Sequence, residues 1–175
     1  MRILMRILGI IAVIVAVGMG VLSANRNFTD AKDAKEMGPT LEQYRKELDG
    51  MKEQVKQLSG FEADSMNEEI AKAEEMLNLP SPGTFTMIGV LMAILALLSI
   101  ISAVFLFKPG HKTAVIILGA TIVAGLVAII ISPNISTEYG PASNRTLSIV
   151  VTVPAVLAAL FAFAMRNGKK QPAHA

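Results

Sequence analysis

The sequence predicts an all-α protein: an integral membrane bundle of four spanning helices (a tetraspan bundle), with an extracytoplasmic helical hairpin between spans one and two. Residues 84–107 and 113–131 contain no Asp, Glu, Lys, Arg or His. Each run is close to the roughly 20 residues needed to cross a bilayer core of about 30 Å. Two further apolar runs flank this pair, whereas residues 25–83 are polar and show helical periodicity.

The first predicted span, residues 1–24, has a basic start that includes Arg6. Such a start suits either a retained membrane span or a cleaved signal peptide. The apolar run is longer than a usual signal core, which favours a retained span. Small residues at four-residue spacing also suit a helix that packs against other helices: Ala12, Ala16 and Gly20.

Residues 25–83 are predicted to form the helical hairpin domain. Gly38-Pro39 predicts a break, with a new helix beginning at the proline. Ser65 and Glu68 read as a capping box that opens a second helix. Because neither helix is stable alone at such lengths, we expect them to pack antiparallel. A coiled-coil seam with spacings of three and four marks the first helix: Leu41, Tyr44, Leu48, Met51, Val55 and Leu58.

The two seams of this hairpin are unequal. The second helix offers only four apolar positions: Met66, Ile70, Ala73 and Leu77. An Ala opposite large side chains leaves part of the first seam uncovered, and aromatic and Met residues at such an edge are common in interfaces. In the alternative interpretation, the apolar seams of the two helices pack only against each other and bind no partner. The residues predicted to bind a partner are Tyr44, Met51, Phe61 and Met66.

The rest of the chain alternates spans and short connections. The second span is predicted at residues 84–107, the third at 113–132 and the fourth at 147–165. Residues 133–146 form an outer loop, and residues 166–175 form a basic cytoplasmic tail. Small residues in the third span are predicted to pack against neighbouring helices: Ala120, Ala124 and Ala128.

The distribution of charge predicts the topology. Basic residues without accompanying acids lie at both chain ends and in the turn between spans two and three: Arg2, Arg6, Lys108, Lys112, Arg166, Lys169 and Lys170. The positive-inside rule therefore places both termini in the cytoplasm of a cell (plasma or inner) membrane. Residues 25–83, with 8 basic and 13 acidic residues, then face outward.

Little in the sequence points to chemistry. There is no Cys, and the two histidines, His111 and His174, have no second ligand at metal spacing. No ionisable group lies within the second or third span, which argues against a proton pump or a carrier of charged substrates. The basic residues form no single patch, so nucleic acid is not expected as a partner. The sequence predicts no enzymatic activity, cofactor or metal site.

Asn-x-Ser/Thr tripeptides begin at three positions: Asn27, Asn134 and Asn144. In a eukaryote they would be candidate glycosylation sites. Chance occurrence in loops rich in Asn, Ser and Thr is the alternative.

The order of four spans, with a large first outer loop and a smaller second one, resembles the claudin-like tetraspan topology. Claudins carry a Trp and a Cys pair in the first outer loop, whereas this chain has neither Trp nor Cys. The resemblance therefore implies a topology and carries over no function and no residue.

These features together predict a non-enzymatic accessory, scaffold or assembly subunit of a membrane complex, with the outer hairpin as its recognition element. Its expected partners are the lipid bilayer and another membrane or extracytoplasmic protein, or a second copy of itself. The alternatives are an oligomeric pore or small-solute transport component, and an extracytoplasmic ligand sensor.

Overall fold

The computed structural model describes residues 2–77, 80–108, 112–135 and 142–167. These residues contain five helices and no strand: α1 Arg2–Val55, α2 Phe61–Leu77, α3 Pro82–Phe107, α4 Thr113–Ile131 and α5 Asn144–Asn167. Four of them, α1, α3, α4 and α5, are long and apolar enough to cross a membrane, which indicates a membrane protein. The all-helical, four-span prediction is confirmed at this level. Residues 109–111, 136–141 and 168–175 lie outside the described residues, and with them His111, His174 and most of the predicted basic tail.

Helix α1 continues without interruption from the first span to Val55, with Pro39 inside it. The predicted break at Gly38-Pro39 is therefore wrong. A proline inside a helix removes one N–H donor and leaves the carbonyl four residues earlier, that of Lys35, without its usual bond. Lys35 is exposed, so water can hydrate this carbonyl at modest cost. At 1.5 Å per residue, the 54 residues of α1 extend about 80 Å.

Helix α2 begins directly after Gly60, whose φ of 72° suits glycine best. The backbone N–H groups of Ala63 and Asp64 donate to the Gly60 carbonyl, so the first turn forms before Ser65. The capping box predicted at Ser65 is therefore wrong, because that residue already lies inside the helix. The α2 helix packs against the C-terminal part of α1.

The contact between α1 and α2 includes buried apolar side chains and an ion pair. Leu48 of α1 and Ile70 of α2 are both buried. The Lys52 ammonium lies 2.5 Å from a carboxylate oxygen of Glu74. The seam residue Leu48 is thus covered, while Leu41 and Val55 of the same seam are only partly buried.

In the membrane bundle, α1 packs against α3 and α5, and α4 packs against the same two helices. The core that they share contains Ala16, Ala24, Ile88, Met92, Leu95, Ala128, Val151 and Ala155. Small residues set the closest approaches between helices. A Cβ added at Gly20 would lie 3.1 Å from the Ala96 Cβ, and one added at Gly125 would clash with Thr152 Cγ2. Large apolar side chains such as Ile116 are exposed on the outside, as lipid-facing residues are.

The residues predicted to pack between helices occupy different environments. Ala12, Ala16 and Gly20 of α1 are all buried. In α4, Ala128 is buried and Ala124 is partly buried, whereas Ala120 is exposed. The face of α4 that enters the bundle is instead marked by its other buried residues: Ala114, Ile117, Thr121 and Gly125.

Two spans begin earlier than the predicted boundaries because polar residues cap them. The Ser81 hydroxyl accepts the Thr84 N–H at 3.2 Å, and Pro82 occupies the first turn of α3, where its missing N–H costs nothing. The Ser143 hydroxyl accepts the Thr146 N–H at 3.2 Å in the same way at the start of α5.

Candidate functional site

A buried polar cluster lies at the end of the bundle where α1 leaves it. On α1 the cluster comprises Arg26, Asn27 and Asp30, which follow the apolar part of the span directly. On α5 it comprises Asn144, the first residue of that helix. The two asparagine side chains have no exposed surface, and Asp30 is 5% exposed. Such groups are rarely buried unless they are paired, so their contacts define the site.

The amide of Asn144 connects α5 to α1. Its Nδ2 donates to Oδ1 of Asn27 at 3.0 Å and to Oδ2 of Asp30 at 3.1 Å. The Asn27 amide in turn donates to the Ser23 carbonyl at 2.7 Å. Positions 23, 27 and 30 recur at helical spacing and therefore share one face of α1. One side chain of α5 thus holds two acceptors on successive turns of α1.

Arg26 fixes the segment that precedes α5. Its Nη2 donates to the Ala142 carbonyl at 3.0 Å, and its Nε lies 3.9 Å from Oδ2 of Asp30. The side chains of this ion pair are 12% and 3% exposed. A buried pair of this kind contributes little net stability, but removing one partner leaves a buried charge and is strongly destabilising.

A second polar contact joins α4 to α5 near this cluster. The hydroxyl oxygens of Ser132 and Ser148 lie 2.6 Å apart, and either can donate to the other. The carbonyls of Ala128 and Asn144 are also within reach of these hydroxyls, at 2.6 Å and 3.0 Å. The polar end of the bundle therefore links α1, α4 and α5 through side chains.

This arrangement suits structural locking of α1 to α5. The described residues contain no group of three or more His, Cys, Asp or Glu that could hold a metal ion. Asn27 and Asn144 begin two of the Asn-x-Ser/Thr tripeptides, yet both are buried and each donates its amide to a protein acceptor. A glycan has no room at either position in this fold. The third, Asn134, is exposed.

Sequence reasoning missed the cluster because it read Asn27 and Asn144 only as tripeptide motifs. A signal was present in the spacing of Arg26 and Asp30, which lie four apart and form an ion pair on one helical face. That spacing directly after an apolar run could have marked a buried pair. Nothing local in the sequence pointed from there to Asn144, which is 117 residues away from Asn27.

The four residues predicted to bind a partner lie on α1 and α2, outside the bundle. Phe61 is 87% exposed, Tyr44 is 56% exposed, and Met51 and Met66 are partly buried. Phe61 and Met66 line a shallow recess of about 400 Å³ together with Leu58, Glu62, Ser65 and Glu69. We call this recess the tip. Tyr44 and Met51 do not line it, so the structure brings together two of the four residues.

The ion pair between the helices also affects protonation. A hydrogen bond to Glu74 raises the pKa of Lys52 above its ordinary value of 10.5, and the negative charges of Glu74 and Asp49 act in the same direction. The Lys52 ammonium is therefore retained over the whole physiological range, so its ion pair with Glu74 persists there.

Comparison of the chain with protein-family models, with curated proteins and with solved structures finds no match.

Proposed function

We propose that the protein is a non-enzymatic scaffold or assembly subunit of a membrane complex, in which α1 and α2 form a helical hairpin that presents a recognition surface away from the bilayer. The observation that carries this proposal is the continuity of α1 from its span to Val55. About 20 residues suffice to cross the hydrocarbon core, so more than half of α1 extends beyond it. A continuous helix couples the position of the tip to that of the bundle.

The segment of α1 that follows the bundle acts as a spacer, with the end of α2 and the start of α3 beside it. Ala31 is buried, and the next buried side chain along α1 is Leu48. The 16 residues from 32 to 47 cover about 24 Å at the helical rise. A spacer of this kind has no use in chemistry within the bilayer, whereas it places a docking surface at a set height above it.

The tip has the composition of a docking surface. Phe61 exposes most of its ring beside Met66 and Leu58, and apolar clusters of this kind often mark sites of protein contact. Glu62 and Glu69 lie at the same recess. The partner that fits is therefore a protein with an apolar side chain to fill the recess and basic residues around it.

We place the tip on the extracytoplasmic side of a plasma or inner membrane, because the basic residues without acids lie on the other side of each span. Cysteines at Ser59 and Asn134 should react with a membrane-impermeant thiol reagent in intact cells. A cysteine at Lys112 should react only after lysis. The reverse labelling pattern would place the tip in the cytoplasm.

The docking role is tested by affinity purification of the full-length protein from mild detergent. Phe61→Ala should lose a stoichiometric partner that the wild type retains. Because Phe61 is exposed, the free energy of unfolding from a thermal melt should stay within about 0.5 kcal/mol of wild type. Met37→Ala, an exposed apolar residue on the spacer, is the matched control and should retain the partner.

Other outcomes of the same purification would reject the scaffold. A self-assembled ring without an unrelated partner would favour the pore. A monomer whose stability rises with an added small molecule would favour the ligand sensor. Retention of the partner by Phe61→Ala would show that the tip is not where it binds.

A further inference from the structure

A cavity of about 380 Å³ opens between α1 and the start of α5, beside the buried polar cluster. Its polarity changes along α1. Met19 and Leu22 line the part nearer the middle of the span, and Arg26 and Thr29 line the part nearer its end. Ser23, Asn25 and Leu147 complete the walls. From position 19 to position 29 the cavity covers about 15 Å of helix, so it crosses from the hydrocarbon core into the interfacial region.

The hydroxyl of Ser23 distinguishes this cavity from an ordinary packing gap. Ser23 is 2% exposed, and its Oγ has no hydrogen-bond partner within the described residues. Several other buried hydroxyls of the bundle donate to the carbonyl four residues earlier, as Ser99 does to Leu95 at 2.8 Å and Thr121 to Ile117 at 2.7 Å. The Thr152 hydroxyl also has no partner in the part of the chain that the structure describes, but Thr152 does not line this cavity. A buried hydroxyl without a partner is costly, and a ligand oxygen in the cavity would accept its proton.

The face of α1 that carries the cavity is turned outward from the bundle. Val21 and Leu22, at this depth, are 57% and 67% exposed. Once the span is inserted, the medium against this face is lipid, so the molecule that reaches the cavity is a lipid. An apolar chain in the cavity would meet Met19 and Leu147, and a polar group would meet Arg26.

We propose that this cavity binds one phospholipid molecule. Its phosphate lies at Arg26 and accepts a hydrogen bond from the Ser23 hydroxyl, and one acyl chain follows Met19, Leu22 and Leu147. Because Arg26 is already paired with Asp30 at 3.9 Å, the site recognises the phosphodiester group common to phospholipids, and a net headgroup charge is not required. This site depends on insertion of the span and is independent of docking at the tip.

The test uses the full-length protein, purified in mild detergent and depleted of lipid. Phosphatidylglycerol, diacylglycerol or inorganic phosphate is added, and native mass spectrometry counts the bound molecules. We expect one phosphatidylglycerol per chain and no comparable retention of the other two. Leu22→Trp should lower retention about tenfold, as expected when about two methylene groups lose their burial. Val21→Trp is the matched control, because Val21 lies at the same depth in the membrane as Leu22 and is similarly exposed, but does not line the cavity. This variant should retain the lipid.

Asn25→Trp provides a second, independent obstruction at the polar end, where the side chain is exposed and folding is not at risk. It should also lower retention. Equal retention in Leu22→Trp and Val21→Trp would overturn the proposal, because the lipid would then be non-specific. Diacylglycerol bound as well as phosphatidylglycerol would overturn the phosphate contact. Inorganic phosphate retained as well as the lipid would overturn the acyl contact.

Discussion

Replacing Asn144 with Ala tests whether the buried polar cluster locks α1 to α5. The side chain has no exposed surface, and its amide donates to both Asn27 and Asp30. The substitution leaves the backbone N–H of residue 144 and its bond to the Ile135 carbonyl in place. It therefore removes two side-chain hydrogen bonds without removing the start of α5.

The expected loss of stability depends on the two buried acceptors, Asn27 and Asp30, that the substitution leaves without this donor. A buried acceptor left without its donor costs about 1–3 kcal/mol, and a charged acceptor costs more. Asp30 keeps its ion pair with Arg26 at 3.9 Å, which moderates the loss. We therefore expect Asn144→Ala to lower the free energy of unfolding by about 2–5 kcal/mol.

The assay is denaturant unfolding of the full-length protein in detergent, followed by helical circular dichroism. Asn134→Ala is the matched control, because Asn134 is exposed in the connection before α5 and should change stability by less than about 0.5 kcal/mol. In an Asp30→Asn background, the cost of Asn144→Ala should fall by about 1–2 kcal/mol, because the two side chains are in contact. An Asn144→Ala variant as stable as the control would refute the locking role.

Three further predictions concern the helix contacts. Leu48→Ala should cost about 2–5 kcal/mol in thermal melts, since this buried side chain joins α1 to α2; a loss below 1 kcal/mol would contradict the contact. Gly125→Ala should cost about 1–3 kcal/mol through its clash with Thr152, and adding Thr152→Ser should restore most of it; destabilisation without rescue would point elsewhere. The pKa of Lys52 is higher in the folded state than its ordinary value of 10.5. The stabilisation from its bond to Glu74 is therefore fully present below pH 10.5 and is lost as the pH rises through the folded-state pKa. The difference in melting temperature between wild type and Lys52→Met should therefore narrow at alkaline pH, and a constant difference would exclude the ion pair as its cause.

Local patterns predicted much of the helical organisation. Long runs without charge predicted the spans because a bilayer imposes a minimum length and excludes ionisable groups, and these constraints act on each segment separately. The periodicity around Leu48 predicted a helical seam, and the structure covers that residue against α2. The prediction of a helix break at Pro39 failed because a proline disfavours a helix only locally. The packing of α1 against the bundle at one end and against α2 at the other offsets this cost.

The sequence by itself therefore determined that the chain is helical, that four segments suit a membrane, and that the segment between the first two is polar. Only the tertiary structure decided that Asn27 and Asp30 meet Asn144 in a buried cluster, and that Ser23 borders a cavity. The physical reason is one of range. Hydropathy and periodicity are properties of neighbouring residues, whereas the register of α5 against α1 depends on packing across the whole bundle. The burial of two asparagines, each ordinary in a polar segment, is visible only after that register is set.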